Sequence, residues 1–265
     1  YRIALEAVKY VDKLRINPGN IGSPERVMEV VKAAKERHIP IRIGINAGSL
    51  EKDILGKYGH PTSEGMLESA LRHIRILEEL DFFDIKVSLK ASDIWKTIDA
   101  YRLLAKKVDY PFHIGITEAG TVFSGSIKSA VGLGVLLAEG LGDTLRVSIT
   151  GDPVEEVRVG WEILRSLKLR QRGVNIISCP TCGRIKIDAI RLVTEIEKRL
   201  SHITKPVNVA VMGCVVNGPG EAVESDIGIA GGDGVGLLYV GGQVVRKVTE
   251  DNIIDAVIEE VERMV

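Results

Sequence analysis

The sequence predicts an α/β protein: a parallel sheet flanked by helices, followed by a smaller α/β unit. Three observations carry this. From Lys13 to Thr150, short β-branched runs alternate with amphipathic helical stretches at steps of roughly 30 residues, the length of a βα unit. The strands so marked are not uniformly apolar, as in an ordinary parallel sheet, but put aliphatic residues on one face and basic or polar residues on the other. After a short basic hinge, Lys168-Leu-Arg-Gln-Arg-Gly173, a second set of strands begins, and it holds all three cysteines.

Taken in order, the chain starts at Tyr1, without Met, inside a segment patterned as a helix to Tyr10. Strands are predicted at Lys13–Asn17, Pro40–Asn46, Asp84–Lys90, Pro111–Thr117 and Thr144–Thr150. Helix Pro24–Arg37 has Ser23 as its cap and Pro24 at the first helical position. Helix Ser63–Leu80 places Met66, Leu67, Ala70, Leu71, Ile74, Leu77 and Leu80 at helical spacing. Asp152 caps Pro153–Leu167. The second unit reads as strand Val174–Ser178, helix Ile187–Leu200, strand Val207–Met212, a glycine-rich run, a hairpin around Gly241-Gly242 and a final helix Glu250–Val265. Strand–helix alternation suits a (β/α) barrel or a doubly wound sheet. A barrel needs eight strands and five are visible, so about three βα units, roughly 90 residues, are expected upstream. The domain boundary is set at 1–168 and 169–265.

Composition narrows the function. With 265 residues, 45% of them hydrophobic, the chain can bury one large core and one small one. A net charge of −1 argues against a general nucleic-acid or membrane-surface binder. Aromatics are only 5%, too few for a base-stacking surface. The most apolar stretch, Ala130–Gly142, is short and contains Glu139, so it does not span a bilayer. Three cysteines without a signal-like start point to a reducing cytoplasm.

Within the strands, Arg15 and Asn17 oppose Leu14 and Ile16. Arg42, Gly44 and Asn46 oppose Ile41, Ile43 and Ile45; Lys86, Ser88 and Lys90 oppose Ile85, Val87 and Leu89. His113 and Gly115 oppose Ile114 and Ile116, while Arg146, Ser148 and Thr150 oppose Leu145, Val147 and Ile149. The aliphatic set must face the helices, which leaves the basic set on the other face, the lumen in a barrel. Several unpaired buried charges cost several kcal/mol each, so a shared polyanion is the natural occupant. Guanidinium groups grip phosphate bidentately, which favours a diphosphate.

Cys179-Pro-Thr-Cys182 and Cys214-Val-Val-Asn-Gly-Pro-Gly-Glu221 follow two strand ends. Three thiolates form a soft metal pocket that suits zinc or an iron–sulfur cluster. A structural zinc site would close with a fourth Cys or His, and none stands near Cys214. Glu221 does, a hard and exchangeable ligand. Both readings stay open on the residues alone: a cluster with one open iron, or a zinc-stapled enzyme acting on a phosphorylated small molecule without redox chemistry. Glu118, in His113-Ile-Gly-Ile-Thr-Glu118-Ala-Gly, is either a surface acid or a proton carrier at the mouth. His38, His60, His73 and His202 are expected to face solvent. Gly231-Gly-Asp-Gly-Val-Gly236 is expected to be a turn between strands, and Arg42-Ile-Gly-Ile-Asn-Ala-Gly-Ser49 lacks the spacing of a dinucleotide fingerprint.

Arg15-Ile-Asn-Pro-Gly-Asn20, Arg42-Ile-Gly-Ile-Asn46, the His113–Gly120 motif and both cysteine motifs resemble the 4-hydroxy-3-methylbut-2-enyl diphosphate synthase family, iron–sulfur enzymes of the non-mevalonate isoprenoid pathway. The resemblance runs over all 265 residues. It implies a partial TIM-type barrel that binds substrate, then a small α/β domain resembling part of the sulfite reductases that carries a [4Fe–4S] cluster. The implied cluster ligands are Cys179, Cys182, Cys214 and Glu221. The implied diphosphate ligands are Arg15, Asn17, Arg42, Asn46, Lys90, Arg146 and Ser148, with Glu118 and Glu221 in catalytic roles. The implied substrate is 2-C-methyl-D-erythritol 2,4-cyclodiphosphate, with flavodoxin or ferredoxin as electron donor. A homodimer is implied in which the cluster domain of one subunit caps its partner's barrel. The short hinge matches the compact bacterial type, and the absent first strands imply an N-terminal truncation.

Overall fold

The computed structural model describes Tyr1–Asn17 and Ile21–Val265; the Pro18-Gly19-Asn20 part of the first motif lies outside the described residues. Two compact units divide the chain, Tyr1–Leu169 and Arg170–Val265.

In the first unit the order is α1 (Arg2–Ala7), β1 (Leu14–Ile16), α2 (Pro24–Glu36), β2 (Ile41–Asn46), α3 (Lys52–Tyr58), α4 (Ser63–Glu79), β3 (Ile85–Lys90), α5 (Ile94–Ala105), β4 (His113–Ile114), α6 (Val122–Ala138), β5 (Thr144–Leu145) and α7 (Pro153–Ser166). Strands β1, β2 and β3 pair in parallel, as do β4 and β5, and a parallel bridge from Val87 to Phe112 links the two sets. Five parallel strands therefore follow one another in chain order, and no pairing among the described residues closes them into a barrel. The aliphatic face of the strands and the apolar stripes of the helices form one core. Ile41, Ile43, Val87 and Leu89 meet Val30 and Val31 of α2, Met66, Ala70 and Leu77 of α4, and Ile98, Tyr101 and Leu104 of α5. Each large aliphatic side chain so buried contributes roughly 1.5–3 kcal/mol.

The structure corrects four expectations here. The first helix ends at Ala7 rather than Tyr10. Ser23 occupies the cap position of α2, but its side chain accepts no capping hydrogen bond, so Pro24 and the acidic Glu25 in the first turn carry the start signal. The fourth and fifth strands are shorter than Pro111–Thr117 and Thr144–Thr150. Regular pairing covers two residues in each, and beyond it the chains are held by separate bonds such as Arg146 N–H to the Ile114 carbonyl and Thr150 N–H to the Gly120 carbonyl. Lastly, His73 is only 1% exposed, not solvent-facing. It stands on the core stripe of α4 between Met66, Ala70 and Leu77, with its Nε2 3.0 Å from the Glu51 carboxylate, which also accepts from Ser69 Oγ.

The second unit contains β6 (Val174–Ser178), α8 (Ala189–Leu200), β7 (Val207–Met212), α9 (Gly218–Val223), β8 (Ile227–Gly232), β9 (Val235–Val240), β10 (Gln243–Thr249) and α10 (Ile253–Met264). Its sheet runs β10-β9-β8-β7-β6, with β6, β7 and β8 parallel and β9 and β10 antiparallel. The Gly231–Gly236 run is therefore two strand ends around a tight turn, and Gly241-Gly242 joins β9 to β10. Alternation along β8 sets the layers. Ile227 and Ile229 join Leu192, Ile196, Val257 and Val261 of α8 and α10, whereas Ala230 packs with Ala222 of α9. No described helix is long and apolar enough to cross a membrane.

Candidate functional site

The first unit gathers positive charge on the sheet face away from the helices. Register aligns Arg15 with Arg42 and Lys86, Gly44 with Ser88, and Asn46 with Lys90. Two glycines make room for this. A Cβ on Gly44 would fall 2.2 Å from Arg15 Nε, because the Arg15 side chain lies across that residue and donates from Nη2 to its carbonyl at 3.0 Å. A Cβ on Gly115 would lie 2.7 Å from Lys90 Nζ and 2.7 Å from the Arg146 carbonyl. Both glycines serve close approach by a cation. Gly44→Ala is expected to displace Arg15 while leaving the fold intact, since the clash is with a movable side chain. Its KM should rise about tenfold, the weight of one charge-assisted hydrogen bond, as steady-state kinetics with a circular-dichroism control will show.

These cations crowd one another, and their counter-charges are few. Burial, followed by the charges of Arg42, Arg146 and Arg15, pushes the Lys90 ammonium down to about 8. The carboxylate that opposes this, Glu156, is already engaged by Ile149 N–H at 3.1 Å and by Arg146 Nε at 3.5 Å. Burial and the neighbouring Arg15 press the Arg42 guanidinium below its ordinary range. Burial, with Lys90 and Arg42 next, pushes His113 down to about 3, so the ring is neutral. Three buried polar atoms among the described residues have no hydrogen-bond partner and belong to this face: Asn17 Oδ1, Arg42 Nε and His113 Nε2. A native fold leaves few such atoms orphaned, and each needs a reason. Asn46 and Ser148 are half-buried here, and Arg146 is exposed.

Glu118 is exposed and sits in the left-handed region at φ 51°. A side chain other than glycine pays roughly 1–2 kcal/mol there. Its loop is anchored by Thr117 N–H to the Ala91 carbonyl, one residue past Lys90, and by the Gly120 carbonyl to Thr150 N–H. Such strain collects at functional loops.

In the second unit, β6 ends at Ser178, just before Cys179, and β7 ends two residues before Cys214. The two turns are tied together. Gly213 N–H donates to Cys179 Sγ at 3.2 Å, and Lys186 N–H donates to the Gly213 carbonyl at 2.8 Å. All three cysteines are free thiols; Cys182 is exposed and the other two half-buried. Hydrogen bonds from the backbone and side chain of Arg184 hold the Cys182 thiol below its usual range, favouring the thiolate that a metal requires. Glu221 is exposed in the first turn of α9, which the Gly218 N–H to Cys214 carbonyl bond tethers to the same turn. The described side chains do not by themselves converge three or more His, Cys, Asp or Glu groups into a metal-binding set. The donor chemistry nevertheless suits a soft metal, zinc or an iron–sulfur cluster: two cysteine turns locked to each other, an N–H aimed at sulfur, and an exposed carboxylate.

Gly44, His113 and Gly115 lie on the basic face, as the alternation predicts, but the pattern alone assigns them no role. The alternation pattern was the available signal, because small or neutral residues among cations mark where a cation lies across the strand. Glu156 escaped notice, since it reaches the sheet from α7.

Fold and site together define an α/β protein with a cationic sheet face in one unit and paired cysteine turns in the other. The chain belongs to the GcpE family: the GcpE TIM-barrel domain matches residues 1–161, and the GcpE protein C-terminal domain matches residues 175–263. It is 65% identical over 265 residues to the 4-hydroxy-3-methylbut-2-en-1-yl diphosphate synthase (flavodoxin) of Geobacter sulfurreducens, covering 100% of this chain and 75% of that protein. The protein of the same name from Symbiobacterium thermophilum is 62% identical, over 99% of this chain and 71% of its own length. That of Caldanaerobacter subterraneus subsp. tengcongensis is 60% identical, over 100% and 75%.

Proposed function

We propose that this chain is a flavodoxin-dependent oxidoreductase of isoprenoid biosynthesis. It opens the ring of 2-C-methyl-D-erythritol 2,4-cyclodiphosphate reductively and releases water to give (E)-4-hydroxy-3-methylbut-2-enyl diphosphate. The observation that carries this reading is the crowded cationic face, where Arg42 Nε and His113 Nε2 are buried without partners beside Lys90. A diphosphate supplies both the missing negative charge and the missing acceptors.

In this reading the first unit (1–168) is the substrate-binding part of a TIM-type barrel. The second (169–265) is a cluster domain resembling part of the sulfite reductases. Arg15, Arg42, Lys90 and Arg146 hold the diphosphate, with Asn17, Asn46 and Ser148 adding neutral hydrogen bonds. Cys179, Cys182, Cys214 and Glu221 are the residues that would hold a [4Fe–4S] cluster. When bound, that cluster would relay, one at a time, the two electrons that reduced flavodoxin supplies for breaking the C–O bond to phosphate and for loss of the hydroxyl. Overall, two electrons and two protons enter and one water leaves. Glu118, on its strained loop beyond the basic face, carries a proton. Glu221, the one carboxylate of the set, would be its exchangeable ligand. The functional assembly is a cytoplasmic homodimer with the cluster domain of each subunit over the partner's barrel, served by flavodoxin.

Anaerobic turnover with chemically reduced flavodoxin and the cyclic diphosphate tests this. The expected result is diphosphate product formed in step with flavodoxin oxidation. A protein that holds its metal, binds the substrate and yet returns it unchanged would refute the reading. Glu118→Gln should lower kcat by about 10²–10⁴-fold, the range of one acid–base group, with little change in KM.

A further inference from the structure

The neutral His113 ring is held from behind. His113 is 8% exposed, and its Nδ1 lies 2.9 Å from Thr144 Oγ1. The same hydroxyl oxygen accepts from Lys86 Nζ at 3.4 Å. An ammonium can only donate, so Lys86 takes one of the two lone pairs of the hydroxyl, and the hydroxyl proton can be directed at Nδ1. With the Thr144 hydroxyl donating to Nδ1, the ring proton sits on the other nitrogen, Nε2, which is buried without a partner. His113 shares its sheet face with Gly115, against which Lys90 Nζ rests, and the cations that act on the ring are Lys90, Arg42, Lys13 and Lys86. In that tautomer Nε2–H is a donor among cations with nothing to donate to, and an anionic acceptor completes it.

We propose that His113 is a further ligand-contacting residue of the cationic face, donating from Nε2–H to the bound diphosphate. Thr144 and Lys86 are positioning residues that set its tautomer. This rests on the diphosphate reading above and adds to it a neutral, directional donor among point charges. Such a donor discriminates a phosphate oxygen from other anionic groups by geometry rather than charge.

Two measurements on the full chain test the assignment. Long-range ¹⁵N-edited imidazole spectra of the wild-type protein should show His113 protonated at Nε2, shifting when inorganic pyrophosphate is added. A ring protonated at Nδ1, or one indifferent to pyrophosphate, overturns the proposal. Calorimetric titration with inorganic pyrophosphate should show His113→Phe weakening binding about tenfold, with His113→Gln recovering much of it because the amide N–H reaches the same place. Thr144→Val should weaken binding less and shift the tautomer towards Nδ1–H. Lys90→Met separates the two failures. If Lys90→Met weakens pyrophosphate binding and His113→Phe leaves it within about twofold, the role of His113 is wrong and the anion site stands. If neither variant matters, the diphosphate reading itself fails. A His113→Phe chain that does not fold leaves the wild-type tautomer to decide.

Discussion

Lys90→Met is expected to make the ligand-free protein more stable while reducing its affinity for the cyclic diphosphate by about two orders of magnitude. Lys90 is buried among Arg42, Arg146 and Arg15, and its ammonium is pushed down to about 8, burial being the largest cause. A shift of that size corresponds to a cost on the order of 3 kcal/mol at neutral pH, which a methionine of similar shape removes. Because the folded value lies below the ordinary lysine value, the unfolded chain binds more protons between about pH 8 and 10.5. Stability of the ligand-free wild type should therefore rise with pH across that window, and the full cost should be present below pH 8. Denaturant unfolding between pH 7 and 10.5 checks this: the rise should be smaller in Lys90→Met. Affinity runs the other way. The wild-type cation grips the anion most firmly below about pH 8, and the variant has lost that grip at every pH. A binding site that is costly when empty is the expected signature of a function bought with stability.

The second large effect is at Cys214. Cys214→Ser should abolish turnover and bleach the visible absorption of the anaerobic protein, yet leave the second unit folded. Its core is built from Leu192, Ile196, Val209, Ile229, Val257 and Val261, none of which depends on a metal. Far-ultraviolet circular dichroism and the unfolding midpoint should therefore stay close to wild type. Loss of the fold in Cys214→Ser would mean that the thiolates serve structure first, as in a zinc staple.

Much of this was legible in the sequence because two periodicities coexist in it. The alternation in Arg42-Ile-Gly-Ile-Asn46 and Lys86-Val-Ser-Leu-Lys90 separates a greasy face from a charged one, and the register of β2 with β3 then stacks those faces. What alternation does not encode is depth and partnership. His73 was misplaced because its partner, Glu51, lies across the intervening α3. The available clue was its position on the stripe of Met66, Ala70 and Leu77. The shortness of β4 and β5 was hidden for another reason: apolar alternation continues through Ile116 and Ile149, but the backbone bonds there go to loops rather than to a ladder. The thiolate turns were visible as motifs. That Gly213 N–H points at Cys179 Sγ is a property of the folded turn, and no spacing rule contains it.

The central claim is that the three thiolates and Glu221 hold a redox-active iron–sulfur cluster. Its most direct test is iron, zinc and acid-labile sulfide analysis of the protein purified and reconstituted without oxygen. The expected result is about four iron and about four sulfide per chain, the content of one [4Fe–4S] cluster, with negligible zinc. Stoichiometric zinc with no acid-labile sulfide would contradict it.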